Sequence, residues 1–127
     1  MENCRGIVIT GLVVLLGACG EAAETSSSQS IASSFPEFAD PGLQQGRSVW
    51  LDSCKVCHAT GLVGAPRIGN RDSWESRIAQ GKATLYQHAL NGLMGPAGTE
   101  MPARGGNDAL SDSDVKAAVD YMVAASQ

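Results

Sequence analysis

The chain has 127 residues, which is too short for several large domains. Its net charge of −4 has the wrong sign for a protein that binds nucleic acid through charge. The acidity is uneven. Residues 40–127, which by size form one predicted domain, carry eight basic and nine acidic side chains, so their net charge is only −1. Most of the excess negative charge lies before this domain, and no nucleic acid is expected as a partner.

The chain begins with the pattern of a bacterial export signal. Arg5 supplies a positive charge, and an apolar run of 12 residues covers 7–18. A bilayer takes about 20 apolar residues to span, so residues 1–18 are interpreted as a signal peptide. The sequence Leu16-Gly17-Ala18-Cys19 resembles a bacterial lipobox, which implies that Cys19 is lipidated, becomes the first mature residue and anchors the protein to a membrane. The alternative is an ordinary secretory signal that leaves no lipid.

Residues 19–39 are predicted to form a flexible tether. Residues 20–34 are rich in Ser, Glu, Ala and Thr and have no apolar periodicity. About 15 flexible residues span roughly 20–25 Å, enough to hold a small domain just off a membrane surface. Phe35 and Phe38 follow, and these two aromatic side chains are expected to dock on the domain.

The first half of the domain is predicted to be helical, with glycine and proline breaks. Pro41 can open a helix after Asp40 as N-cap. Asp72 is predicted to cap a second helix, and Gly81 ends it. A short helix is expected over residues 84–91.

The second half of the domain contains the strongest helix signal. Residues 95–106 are predicted to be irregular, since they are rich in glycine and proline. After them, Ser111 and Asp114 form a capping box ahead of apolar residues at helical spacing. This last helix is expected to pack on the first one, with Gly46 and Ala118 at the points of close approach.

Residues 54–58 read Cys-Lys-Val-Cys-His, which is the pattern of covalent c-type haem attachment. Two thiols one helical turn apart can each add to one haem vinyl group, and the imidazole that follows can bind the iron. The motif therefore predicts one haem c, attached through Cys54 and Cys57, with His58 as an axial iron ligand.

Two other kinds of site use the same spacing. A zinc site normally needs four ligands, but outside the motif the sequence offers only Cys4, Cys19 and His88. A thioredoxin-like dithiol accompanies alternating strands and helices, and no period-two strand pattern follows the motif. Both alternatives are weaker than haem.

The sixth iron ligand separates an electron carrier from a haem that binds small molecules. Met101, Met94, Met122 and His88 are the candidates. Met122 fits the core of the last helix and His88 lies in mid-helix, which leaves two methionines in one loop. Met101 is favoured over Met94, because Pro102 stiffens the backbone beside it. A methionine opposite the histidine fills both axial positions, which argues against catalysis.

Several segments, taken together, resemble class I c-type cytochromes, and most of all cytochrome c5. The likeness covers about residues 40–125 and includes the segment 46–50 ahead of the haem motif and the segment 117–122 near the end. The other similar segments are Gly64-Ala65-Pro66, Trp74-Glu75-Ser76-Arg77, residues 84–89, Met101-Pro102-Ala103-Arg104-Gly105-Gly106 and Leu110-Ser111-Asp112. The resemblance implies an all-α class I cytochrome c fold, with three or four helices wrapped around one covalently attached haem.

The resemblance also implies roles for single residues. It maps the sixth ligand onto Met101 and the hydrogen-bond partner of the axial histidine onto the carbonyl of Pro66. Some members carry a further cysteine pair just before the last helix, where this chain has none. Four residues are candidates to face the haem propionates, with surface roles for the arginines and a core role for the tryptophan as alternatives: Arg67, Arg71, Trp74 and Arg104.

The sequence thus predicts a single-electron carrier and not an enzyme. It is expected to be a monomer in the bacterial periplasm, tethered to a membrane by lipid, with redox proteins as donor and acceptor. Two other classes stay open. One is a haem enzyme or gas sensor with an open sixth site, and the other is a fixed electron-entry subunit of a larger oxidoreductase.

Overall fold

A computed structural model describes residues 32–95 and 98–127. The predicted signal peptide, the lipidation at Cys19 and residues 19–31 of the predicted tether lie outside these ranges. Within them, no helix is long and apolar enough to cross a membrane.

The described chain is mostly helical, which confirms the predicted all-α class. The helices are α1 (Pro41–Val49), α2 (Lys55–His58), α3 (Arg71–Ile78), α4 (Lys82–Asn91) and α5 (Asp112–Ala124). A π-helical turn, Trp50–Cys54, joins α1 to α2, and short 3-10 turns cover Leu62–Gly64 and Ala103–Gly106. Two short strands, β1 (Leu93–Met94) and β2 (Glu100–Met101), pair in antiparallel fashion.

The first and the last helix of the domain, α1 and α5, have the predicted N-caps. The side chain of Asp40 accepts a hydrogen bond from the backbone N–H of Leu43 at 2.9 Å, and Pro41 occupies the first position of α1. Ser111 and Asp114 form the capping box of α5. In both cases the cap bonds a residue three positions away, so the signal is local in the sequence.

The predicted start of α3 is wrong. Asn70, not Asp72, is the N-cap, and its side chain accepts from the backbone N–H of Ser73 at 3.0 Å. Asp72 lies in the first turn, where its carboxylate still interacts favourably with the helix dipole. The helix also ends at Ile78, so Gly81 does not terminate it but stands at the start of α4, with a φ of 85°.

The segment predicted to be irregular contains β2. Met101 pairs with Leu93 and Glu100 pairs with Met94. Strands of two residues are too short for an alternating pattern to reveal them. The helix before them, α4, begins at Lys82, two residues earlier than predicted.

The backbones of α1 and α5 cross in close contact at Gly46. A Cβ on Gly46 would lie 2.0 Å from the carbonyl oxygen of Ala117. The predicted close approach at Gly46 is confirmed, with the backbone of Ala117 opposite it, and Ala118, the next residue on α5, is buried. Beside this contact the rings of Trp50 and Tyr121 are fully buried, with their centroids 5.7 Å apart.

The segment 35–38, named here the N-terminal strap, packs over that crossing. Phe35 lies 4.6 Å from Trp50 between ring centroids, and Phe38 lies 6.0 Å from Tyr121. The Tyr121 hydroxyl also donates to the carbonyl oxygen of Pro36 at 3.0 Å. The predicted docking of the two aromatics is therefore confirmed, and the packed unit extends back into the segment predicted to be a tether.

The variant Gly46→Ala is expected to lower the free energy of unfolding by about 2–3 kcal/mol, because the new methyl group has to push the α5 backbone away. Denaturant unfolding of the haem-loaded protein measures this. Gly42→Ala on the same helix is the control, since its Cβ meets only the side chain of Asp40, at 3.1 Å. It is expected to change stability by less than about 1 kcal/mol. Equal effects in the two variants would contradict the crossing.

Candidate haem-binding site

One continuous helical stretch carries the three residues of the haem motif. Cys54 ends the π-helical turn, and Cys57 and His58 lie on α2. The turn inserts an extra residue into the helix after α1, and such insertions are frequent at functional sites. Both thiols are half-buried, and His58 is only 6% exposed. The motif therefore lies inside the fold rather than in a surface loop.

The ring of His58 is oriented by the loop that follows α2. Its Nδ1 lies 2.9 Å from the carbonyl oxygen of Pro66, which only accepts, so Nδ1 carries the proton and donates. Burial lowers the pKa of His58, the bond to Pro66 opposes that shift, and Arg77 lowers the pKa further. The neutral ring then has Nε2 free to bind a metal. This is the contact with Pro66 that the resemblance implied.

An apolar cavity adjoins the motif. About 270 Å³ of space, part of it open to solvent, lies between walls that come mainly from aliphatic side chains of α1, α4 and α5, such as Val49, Ala89 and Val119. Cys54 and Met101 face it from different segments. Burial, and then the neighbouring Cys57, raises the pKa of Cys54 to about 11. The thiol of Cys54 can form a thioether bond to a haem, and the sulfur of Met101 faces the same apolar space. This combination fits a covalently attached haem.

The four candidates for the sixth ligand lie in different places. Met101 and Met122 line the cavity, and Met122 is buried in α5 as predicted. Met94 is 63% exposed on β1, and His88 is half-buried on α4. Neither of these last two lies on the cavity wall within the described residues.

The candidates for the propionates are not grouped. Arg67 and Arg71 are exposed. Trp74 is buried, its indole N–H donates to the carbonyl of Arg67 at 2.8 Å, and its ring centroid lies 6.5 Å from that of His58. Trp74 therefore lies in the core beside His58. Only Arg104 among the four lines the cavity.

Sequence reasoning missed a pair of residues beside the cavity. The side-chain amide of Asn107 donates to the hydroxyl of Ser53 at 3.0 Å, across 54 positions of sequence. Neither residue belongs to a local motif that could have revealed the contact. The bond links the segment that follows Met101 to the residue before Cys54.

Sequence reasoning also missed an exposed apolar patch, formed by Leu62, Val63 and Met94. Their exposed fractions are 50%, 57% and 63%. Leu62 and Val63 lie on a 3-10 turn and Met94 lies on β1, and the turn approaches the residue before β2, where a Cβ on Gly64 would lie 3.8 Å from the hydroxyl of Thr99. Val63 has a φ of 48°, which is strained for a β-branched residue. The backbone thus holds an apolar side chain at the surface despite a conformational cost.

Comparison with known proteins gives the same assignment as the motif. Residues 41–122 match the family described as "Cytochrome C oxidase, cbb3-type, subunit III". The chain is 45% identical over 82 residues to cytochrome c-555 of Chlorobaculum tepidum, a match that covers 65% of this chain and 75% of the relative. It is 34% identical over 83 residues to cytochrome c5 of Azotobacter vinelandii, covering 64% of this chain and 94% of the relative.

A solved structure is also similar. Its title is "Crystal structure of electron transfer complex of nitrite reductase with cytochrome c", and the matched chain has a TM-score of 0.59 and 36% identity. The match covers 69% of this chain and 98% of that one. The chain therefore belongs to the c-type cytochrome family described as cytochrome c oxidase, cbb3-type, subunit III. It has the class I cytochrome c fold and is an electron carrier with one covalently bound haem c.

Proposed function

We propose that this cytochrome is a membrane-tethered, monomeric electron shuttle of the bacterial periplasm, with iron bound by His58 and Met101. The observation that carries the proposal is the shared cavity. Cys54 and Met101 face one apolar space, and the buried imidazole of His58 is oriented by a backbone carbonyl. In this proposal one helical stretch supplies the covalent attachment and the first axial ligand, and β2 supplies the second axial ligand.

The chain's own residues divide the work. Cys54 and Cys57 hold the haem, which when bound supplies an iron that takes up and releases one electron. The Nδ1–H of His58 donates to the carbonyl oxygen of Pro66, which leaves Nε2 to bind the iron. Met101 offers a soft, neutral sulfur, which favours ferrous iron. The aliphatic walls exclude water from the centre.

Two filled axial positions argue against a haem enzyme or gas sensor. Peroxide, oxygen and other small ligands need an open position on the iron, and the proposed ligand pair leaves none. The relatives named above are cytochromes c-555 and c5. We therefore assign no catalytic residue to this chain.

The partners of the shuttle are proposed to be redox proteins that dock on the apolar patch. Leu62 and Val63 expose apolar surface from the turn before Gly64, and Met94 exposes it from β1. Exposed apolar patches mark interaction sites more often than scattered single residues do. The similar solved chain comes from an electron transfer complex with nitrite reductase, which supports a protein as partner.

The tether is proposed to run from a lipid on Cys19 to the strap. Phe35 and Phe38 pack on Trp50 and Tyr121, and none of these four side chains lines the cavity in the described structure. A lipid anchor attached through the strap would therefore hold the domain by a face other than the haem site. The proposed location, at a periplasmic membrane surface, follows from that anchor.

A fixed electron-entry subunit is the second candidate function. The family description names an oxidase subunit, which favours it. The matched part of cytochrome c5 from Azotobacter vinelandii, however, covers 94% of that protein, so a single domain of this kind makes up nearly all of a relative. We therefore place the shuttle first.

The double variant Cys54→Ser with Cys57→Ser is expected to lose covalent haem, because both thioether bonds need a thiol. Mass spectrometry of the denatured protein measures this as the loss of one haem mass. The same substitution at a third cysteine, Cys19→Ser, is the control and keeps the haem. Covalent haem in the double variant would contradict the assignment.

Met101→Ala is expected to abolish the sulfur-to-iron charge-transfer band of the ferric protein and to lower its reduction potential, because a neutral sulfur ligand is lost. Absorption spectroscopy during a potentiometric titration measures both. Met94→Ala, at an exposed methionine, is the control and should leave the band intact. A band that survives Met101→Ala, or a high-spin spectrum in the unmutated protein, refutes the ligand pair.

Gentle detergent extraction of membranes is expected to yield a chain whose first residue is a lipidated Cys19, without a stoichiometric partner. Mass spectrometry of the amino terminus and native gel analysis measure the two properties. Cys19→Ser should move the protein out of the membrane fraction. An unmodified chain that begins beyond residue 19 excludes the anchor, and a constant partner favours the fixed subunit.

A further inference from the structure

We propose that Arg104 and Asn107 are positioning residues that hold the segment after Met101, named here the ligand loop (residues 101–107), closed over the cavity. The proposal rests on the proposed ligation of iron by Met101. It assigns to Arg104 a role other than facing a propionate, and it gives Asn107 a role that no sequence pattern suggested.

The loop is fixed first at Met101 itself. Met101 pairs with Leu93 in the short strand pair. The backbone also passes close to the end of α4, where a Cβ on Gly92 would lie 3.0 Å from the carbonyl oxygen of Met101. Gly92 has a φ of 83°, so only glycine suits both the conformation and the space. One end of the loop is thus attached to α4.

Arg104 attaches the middle of the loop to the start of α5. Its Nη1 donates to the carbonyl oxygen of Leu110 at 2.8 Å, and its Nη2 donates to Asp112 at 2.6 Å. The planar guanidinium presents its N–H donors in a fixed fork, which suits two acceptors at once better than the flexible ammonium of a lysine. The carboxylate of Asp112 is 59% exposed, so the ion pair is screened, and the part-buried bond to Leu110 matters more.

The backbone of Arg104 also points to a positioning role. Its φ is 53°, in the left-handed region that glycine adopts freely and arginine rarely does. Gly105, the next residue, is left-handed as well, with a φ of 65°. An arginine adopts this conformation at a cost and keeps it only where the surrounding structure holds it, and the side-chain bonds to Leu110 and Asp112 are part of that hold.

Asn107 attaches the far end of the loop to the haem-attachment segment. Its side-chain amide donates to the hydroxyl of Ser53, which directly precedes Cys54, and its side-chain oxygen accepts from the backbone N–H of Ala109 at 3.1 Å. Arg104, moreover, lines the same cavity as Cys54. The ligand loop is therefore attached at three places: to the end of α4, to the start of α5 and to the residue before Cys54.

These contacts shift the equilibrium between the open and the closed ligand loop toward the closed state. A competing ligand reaches the iron only when the loop is open, so its apparent affinity is reduced by the small fraction of open molecules. Each contact that exists only in the closed loop lowers that fraction. Removing such a contact should strengthen the binding of a competing ligand without changing the ligand itself.

The test is a titration of the ferric haem-loaded protein with imidazole, followed by loss of the sulfur-to-iron charge-transfer band. Arg104→Asn removes the contacts while keeping a residue that tolerates a positive φ. It is expected to bind imidazole about tenfold more tightly than the unmutated protein, and Ser53→Ala about threefold. Lys82→Asn is the matched control, because it removes the same charge and an exposed ion pair, with Asp120, also 2.6 Å long. The control should leave the affinity unchanged.

The outcomes separate this proposal from the ligand assignment. If the unmutated ferric protein has no charge-transfer band, the ligation by Met101 fails and the positioning role falls with it. If the band is present but Arg104→Asn binds imidazole as the Lys82→Asn control does, only the positioning role is refuted. Denaturant unfolding of the same variants gives a second reading. A loss of global stability in Arg104→Asn without tighter imidazole binding also refutes the role.

Discussion

The close crossing of α1 and α5 at Gly46 is the constraint on which the rest of this cytochrome depends. The two backbones meet there without a side chain between them. The haem motif follows α1 through one helical turn, and α5 supplies a wall of the cavity. The strap packs on Tyr121 of α5 and on Trp50, which directly follows α1. Val49 and Val119 of the two helices line the cavity instead. One crossing thus fixes the cofactor side and the tether side together.

The parts of the fold that the sequence predicted correctly are those set by neighbours in the chain. Asp40 and Ser111 cap their helices by bonds to residues three positions on, and both were predicted. The cap of α3 was not, because Asn70 and Asp72 are both acceptable N-caps two positions apart. In the structure Asn70 is the cap, and the indole N–H of Trp74 on the same helix donates to the carbonyl oxygen of Arg67. Such a contact has no signature in local sequence.

The candidate site divides in the same way. The two thiols and the histidine lie within five residues, so spacing alone identified them. Pro66 came from the resemblance to cytochromes, and the structure places its carbonyl on His58. The bond between Asn107 and Ser53 could not be predicted, because it depends on how two distant segments meet. Charge alone suggested a propionate as the partner of Arg104, and the structure adds the bonds of its guanidinium to Leu110 and Asp112 at the start of α5.

The ligand loop has polar contacts where some related proteins have a covalent link. Some cytochromes that the chain resembles have a cysteine pair before the last helix, and a disulfide there would stabilise a short loop by roughly 2–4 kcal/mol. A hydrogen bond from a charged donor contributes about 1.5–3 kcal/mol when shielded, and less when exposed as Asp112 is. The bonds of Arg104 and Asn107 can together approach the lower end of the disulfide range. Unlike a disulfide, these bonds break and re-form without a redox reaction, so under the proposed ligation the retention of Met101 is set by an equilibrium between the closed and the open loop.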